Sequence, residues 1–494
     1  MNLRRRQGTV LLTVMMIIVL AALIGTSVLY AADAQRGSAA LTLNQAQLRA
    51  LAWSGVQAAL AEMHTQREAL MRGESPVLTG SWELFDGNVS GTVRLAPIGP
   101  EGEFAVSEAA KLDLNLATPA MLAKLPGMNE EAAAKVVAAR GSGFGAVEEL
   151  ARVDGLGASM LVEVGTTGTE STPTPGLLSL TTVFSFDPNV TSTGIEKLNV
   201  SGGWSDELRE PLVERVGQEL AVLVEPLLAK APKLSKESDL VELLRGAKVP
   251  VDRWDEILGA ITTSDDAFVR GRVDLGRAPV QVLAALPGLD VPSAEKIVNA
   301  RAALSADDRA SVTWPLTQGL IHEGEFQEAL PWLTTRSLQW RIRVEARLER
   351  RQAGDTIRFD DDEPSEPPGI VWEAVIDLSD DRPRVAYLRD VTLLPPLVRQ
   401  ALATERAMEG MMGAEAPPGE VSDVGVELEV EGLKSNADLR LGSMKSQTLD
   451  LGGRTRGGTR AERSEQAERE SRSAVPPPAS KDRRIGRWRG SAKE

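Results

Sequence analysis

The sequence predicts an α+β protein: one very long N-terminal helix, half transmembrane and half amphipathic, on a small antiparallel sheet, with a large inserted α-helical domain and a disordered C-terminal tail. Three observations carry this expectation. An uncharged apolar stretch from Thr9 to Ala32 runs directly into a segment with helical spacing. Segments of period-two alternation stand on both sides of a long Ala- and Leu-rich helical region. Within that region a pattern containing Leu-Pro-Gly occurs twice.

The chain has 494 residues, more than one hydrophobic core usually spans. It has no cysteine and two histidines, which excludes disulfides, thiolate metal sites, thiol nucleophiles and a His-rich zinc site. The formal charge is −15, from 55 Lys+Arg and 70 Asp+Glu. That balance argues against general nucleic-acid binding, unless basic residues are gathered somewhere.

The elements follow in order. Arg4, Arg5 and Arg6 precede the apolar stretch, and residues 1–8 read as a leader, residues 9–32 as a transmembrane helix of roughly 35 Å. The arginines hold the N-terminus in the cytoplasm and send the rest outside. A cleaved secretory signal competes with this reading, but the stretch is long for one and lacks a clear small-x-small exit. Leu41, Leu48, Leu51, Ala52, Val56, Ala59, Leu60 and Met63 then recur at three- and four-residue spacing, so residues 33–72 continue the helix as an amphipathic segment. Residues 76–97 read as a β-hairpin about the turn Asp86-Gly87-Asn88. Residues 105–165 are helical, 176–200 a strand and linker with alternation over Leu177 to Phe186, and 206–332 a second helical block. Strand-like runs return over 333–396. From residue 397 the periodicity disappears. From Arg454 twelve basic residues stand against six acidic ones, with Gly-Gly and Pro-Pro-Pro, and the tail 397–494 reads as disordered.

The short basic leader ending in Gly8, followed by an apolar helix that becomes amphipathic, resembles the signal of type IV pilins and type II secretion pseudopilins. The resemblance implies cleavage by a prepilin peptidase between Gly8 and Thr9. Shaft-forming members carry glutamate at the fifth mature position, which here is Thr13. That departure is characteristic of the K-type minor pseudopilin, general secretion pathway protein K. An intramembrane carboxylate needs a charged partner, and a tip subunit has no neighbour above it to supply one. An ordinary single-pass anchor is the plainer reading of this segment alone.

The repeat pairs Leu112–Arg140 with Val273–Arg301, each running through an apolar-Asp start, a small-Pro helix start, a Leu-Pro-Gly turn and a second helix closing in Ala-Arg. The spacing is that of a helix-hairpin-helix, with turns at Pro126-Gly127 and Pro287-Gly288. A further hairpin follows the first copy around Gly155 and Gly157, so 112–164 resembles the tandem helix-hairpin-helix domain of competence-type DNA-binding proteins. A fainter echo is Lys197-Leu198-Asn199-Val200. Phosphate binding at such a turn uses backbone N–H groups with lysine or arginine nearby. Here Asn129-Glu130-Glu131 and Asp290-Val291-Pro292 follow the turns, although Lys135, Arg140, Lys296 and Arg301 partly compensate. A packing role is therefore expected, and nucleic acid is not expected as a partner. K-type pseudopilins are similar in carrying a helical domain of helix-hairpin-helix or SAM-like type inside the pilin sheet.

No phosphate loop, zinc spacing or nucleophile elbow is present, so a non-enzymatic role with no catalytic residues is expected. His64 and His322 read as surface residues. The cluster Asp360, Asp361, Asp362 and Glu363 offers oxygen ligands of the kind Ca2+ takes, with a solvated acidic loop as the plainer reading. The resemblance implies an inner-membrane protein with a periplasmic body, capping a type II secretion pseudopilus with other minor pseudopilins and meeting the secretion apparatus and secreted substrates. The alternative is a membrane-anchored helix-hairpin-helix DNA-binding protein for DNA uptake.

Overall fold

The computed structural model describes residues 4–86, 89–99, 102–162, 175–231, 233–350 and 369–395. It is a mixed α/β structure, 52% helical and 17% strand, with a long N-terminal helix and an antiparallel sheet. Helix α1 runs Arg4–Thr65, 62 residues. Its window of highest mean hydropathy, 2.6, is wholly exposed, and the helix is long and apolar enough to cross a membrane. Packing begins at Leu48, from which Leu51, Ala52, Val56, Ala59 and Met63 form one buried face at helical spacing.

That face lies on a six-stranded sheet made of β1 (Ser81–Asp86), β2 (Val89–Ala96), β3 (Ala105–Ser107), β4 (Gln339–Arg350), β5 (Ile370–Asp377) and β6 (Arg384–Asp390). The order is β1-β2-β4-β5-β6, with β3 also on β4. All pairs are antiparallel. Strand β2 pairs with Arg343–Arg350 and β3 with Trp340–Ile342, so both occupy the same side of β4. Alternation along β4 turns Trp340, Ile342, Val344 and Ala346 toward α1, where they join Val93, Leu95, Ala374 and Ile376 in one core. Gly55 lets the helix approach: a Cβ there would collide with Val93 Cγ1 and lie 2.9 Å from Val344 Cγ1.

Residues 108–338 are inserted between β3 and β4. Ser107 pairs directly with Trp340, so the insertion leaves and re-enters the sheet at neighbouring positions and the ladder continues across it. The insertion contains three related units. Each is closed by a two-residue parallel pair: Leu112–Asp113 with Thr181–Thr182, Leu198–Asn199 with Ile261–Thr262, and Val273–Asp274 with Leu333–Thr334. In each, the second residue's side-chain oxygen accepts the N–H two positions on, at 2.8 Å: Asn115 to Asp113, Ser201 to Asn199, Gly276 to Asp274. In each, the next N–H then reaches the closing threonine's carbonyl: Leu114 to Thr182 at 2.8 Å, Val200 to Thr262 at 2.9 Å and Leu275 to Thr334 at 2.9 Å.

The middle unit begins at the faint echo, Leu198-Asn199-Val200. Its first turn is the break at Gly217 (φ +78°) within Arg209–Lys230, and its second turn uses Lys248 (φ +56°). The alternation over Leu177 to Phe186 does not make one strand. Leu177–Leu180 is a helical turn, and Thr181–Thr182 and Phe186–Pro188 pair with different partners. Leu177 and Leu180 of that turn are buried in the helical core while the threonines close the unit, so burial on one side of a short turn imitates a strand's period.

Candidate functional site

The two Leu-Pro-Gly hairpins are built alike. In the first, Thr118 caps Pro119–Ala123 by accepting the Met121 N–H at 3.2 Å, and Gly127 turns the chain at φ +74°. Asn129 then caps Glu130–Ala139 by accepting the Ala132 N–H at 2.8 Å. In the second, Gly288 turns at φ +74° and Asp290 caps Val291–Ala300 by accepting the Ser293 N–H at 2.9 Å. The closing arginines also correspond: Arg140 donates to the Ala117 carbonyl and Arg301 to that of Ala278, both at 2.7 Å. Leu125 and Leu286, beside the turns, are buried. The further hairpin of the first unit turns at Gly155 (φ +92°), and Gly157 precedes Ala158–Leu161.

These contacts decide what the turns can do. A phosphate would use the N–H groups at the start of the second helix. There the Asn129 and Asp290 side chains already accept one N–H each, and Pro292 has none to offer. Glu130 and Glu131 are exposed at the first turn, and Lys135 pairs with Glu131 at 2.8 Å. The second turn is covered: a Cβ on Gly288 would collide with the Glu325 carbonyl oxygen and lie 2.9 Å from Glu328 Cβ. Lys124 of the first hairpin reaches into the second, where its ammonium donates to the carbonyls of Ala284 (3.0 Å), Leu286 (3.2 Å) and Leu289 (3.2 Å). The two hairpins thus touch each other through Lys124.

Residues 107–164 match the helix-hairpin-helix motif family. The match spans the first hairpin and the one that follows it. Among curated proteins the chain has no match. The second hairpin, with the same turn, cap and closing arginine, lies outside the matched residues.

Two charged clusters join the helix-hairpin-helix units to the sheet. Glu108, fully buried just after β3, accepts from Lys111 at 2.8 Å and Arg341 at 2.7 Å. Arg341 also reaches Glu373 at 2.6 Å, which Arg343 (2.8 Å) and Arg389 (3.2 Å) share. Arg389 continues to Glu148 at 2.9 Å, where the Tyr387 hydroxyl donates at 3.2 Å. Burial opposes the charged form of Glu373, but Arg341, Arg343 and Arg389 outweigh it and bring the carboxyl down to about 2. Glu108 is likewise held well below the carboxylate range by Arg341 and Lys111 against the effect of burial. Asp113 shows the opposite balance, with burial pushing it up to about 6.

The second cluster centres on buried Asp187, held by Arg336 at 2.8 Å, Arg272 at 3.1 Å and the Thr334 hydroxyl at 3.2 Å. Nearby, Arg277 bonds Asp274 (2.6 Å) and the Gly73 carbonyl (2.7 Å), and lies 5.2 Å from the Trp340 ring centroid. These residues escape a reading by motif. Their only signal in the sequence is charge at alternate strand positions, Arg341 and Arg343 against Glu373, which looks like an ordinary solvated face until the insertion covers it.

The remaining residues singled out from the sequence are apart from these clusters. Gly8 and Thr9 lie within α1, and Thr13 is on its exposed apolar part. His64 and His322 are exposed and far apart in the chain. Asp360, Asp361, Asp362 and Glu363 lie outside the described residues. Among the described residues no group of three or more His, Asp or Glu is placed to hold a metal ion.

Proposed function

We propose that this protein is a K-type minor pseudopilin that caps the tip of a type II secretion pseudopilus. On this reading it is anchored in the inner membrane by α1, with its body in the periplasm and no catalytic activity of its own. The observation that carries the reading is the plan of the chain: a helix bare over its apolar part and packed only from Leu48 onward, and helix-hairpin-helix units inserted between paired strands of the sheet that helix supports. A broad helical body above a narrow stem admits subunits below it and obstructs another above. The basic leader before Gly8 and the uncharged Thr13 add to it. Deleting the gene in its host and measuring secreted protein tests the reading. Loss of export with proteins retained in the periplasm, restored by the full chain, is expected. Unchanged export overturns it.

A further inference from the structure

We propose that the groove beside the strand Phe268–Arg270 docks an extended segment of a partner protein by strand addition, with an acidic side chain of that segment at the centre of the groove and apolar side chains on either side of it.

The strand is paired on one edge only. It forms a two-stranded antiparallel ribbon with Phe186–Pro188, in which Asp187 lies opposite Val269. On either side of that pair, the Asn189 N–H donates to the Ala267 carbonyl at 2.9 Å and the Gly271 N–H to the Ser185 carbonyl at 3.1 Å. Ala267, Val269 and Gly271 therefore turn their backbone groups toward the ribbon partner, and by the alternation of an antiparallel ladder Phe268 and Arg270 turn theirs away. The opposite strand agrees. The Phe186 N–H, across from Arg270, donates instead to the Gln339 side chain at 3.3 Å, and Pro188, across from Phe268, has no N–H. The backbone N–H and C=O of Phe268 and Arg270 have no hydrogen-bond partner among the described residues, and both residues are exposed. An unpaired strand edge is a template for another extended backbone.

Two adjoining clefts, of about 620 and 730 Å³, share Leu116, Lys236, Arg270 and Pro331. The first is lined by the whole strand, and the second continues to Trp332 and to Pro287 of the second Leu-Pro-Gly turn. Their apolar surface is open: Leu116 is 40% and Phe268 38% exposed, and Trp332 is half-buried.

The charges differ by position. Lys236 and Arg270, which line both clefts, are exposed and have no ion pair among the described residues; Arg270 lies 5.3 Å from the Phe186 ring centroid. The carboxylates line one cleft each. In the first, Glu237 is bound to Arg272 and Asp266 accepts from the Ser264 hydroxyl at 3.2 Å; in the second stands Glu328. With three carboxylates to two cations the groove does not attract anions as a whole. An acidic side chain is matched at the shared centre and repelled toward the ends, which suits a peptide and not a polyanion.

The test is fluorescence anisotropy of a labelled peptide, Thr-Val-Thr-Glu-Thr-Val-Thr, titrated with the full-length, detergent-solubilised protein. Its glutamate and two valines share one strand face. Saturable binding is expected, about tenfold weaker with lysine in place of the glutamate. Of two versions N-methylated at alternate residues, the one methylated on the edge-facing amides is expected to lose binding and the other to keep it. Arg270→Glu is expected to reverse the preference and favour the lysine peptide, a gain that a misfolded variant cannot give. No saturable binding, equal binding of the glutamate and lysine peptides, or equal binding of the two N-methylated versions overturns the proposal. A dimer in sedimentation that Arg270→Glu abolishes gives the groove to a second copy of the chain, and overturns it as well.

Discussion

Gly127 and Gly288 share a φ of +74° but not their surroundings, and the difference sets what alanine costs at each. At Gly127 the nearest atom to an added Cβ is Met160 Cγ at 3.6 Å, ordinary contact, so Gly127→Ala is expected to cost only the left-handed backbone, about 1 kcal/mol. At Gly288 the added carbon also meets the Glu325 carbonyl, and the expected loss is about 3 kcal/mol or more. Lys248 is the reverse case, an exposed non-glycine residue at φ +56°, and Lys248→Gly is expected to gain about 1 kcal/mol. Denaturant midpoints of the three variants in the detergent-solubilised protein check the order. Equal losses at Gly127 and Gly288 contradict the packed second turn.

Between elements, the buried ion network at the sheet predicts a distinct pH response. Glu373 is lowered from 4.5 to about 2, so its stabilisation is complete above about 4.5 and lost as pH falls toward 2. Asp113, raised from 3.8 to about 6, acts oppositely: its charged form costs stability above about 6, and the cost is relieved as pH falls from 6 toward 4. Thermal stability is therefore expected to rise modestly from pH 7 to pH 5 and to fall steeply below pH 4. The first part is expected to vanish in Asp113→Asn. Arg341→Ala leaves Glu108 and Glu373 short of their shared partner and is expected to cost about 3–5 kcal/mol at pH 7. A flat profile from pH 7 to pH 5 in the wild type contradicts the burial of Asp113.

At the scale of the whole molecule, much of the plan is legible in the sequence, because long helical periods and strand alternation each report a face that must be buried. The buried face of α1 can be read from Leu48 to Met63 in this way. The middle hairpin unit cannot, because its identity lies in backbone geometry: Asn199 replaces the aspartate, and Gly217 turns the chain without Leu-Pro-Gly. Nor can the ion networks, since Glu108 and Arg341 are more than 200 residues apart in the chain yet 2.7 Å apart in space. The covered second turn, the exposed carboxylates Glu130 and Glu131 at the first, and the caps of Asn129 and Asp290 predict no salt-sensitive duplex DNA binding by the full-length protein at micromolar concentration. A mobility shift under those conditions restores the uptake receptor. The most direct test of the pseudopilin reading is the mass of the N-terminal peptide of the membrane-bound protein from its own host. A chain beginning at Thr9 is expected. A chain retaining Met1, or one beginning beyond Ala32, contradicts it.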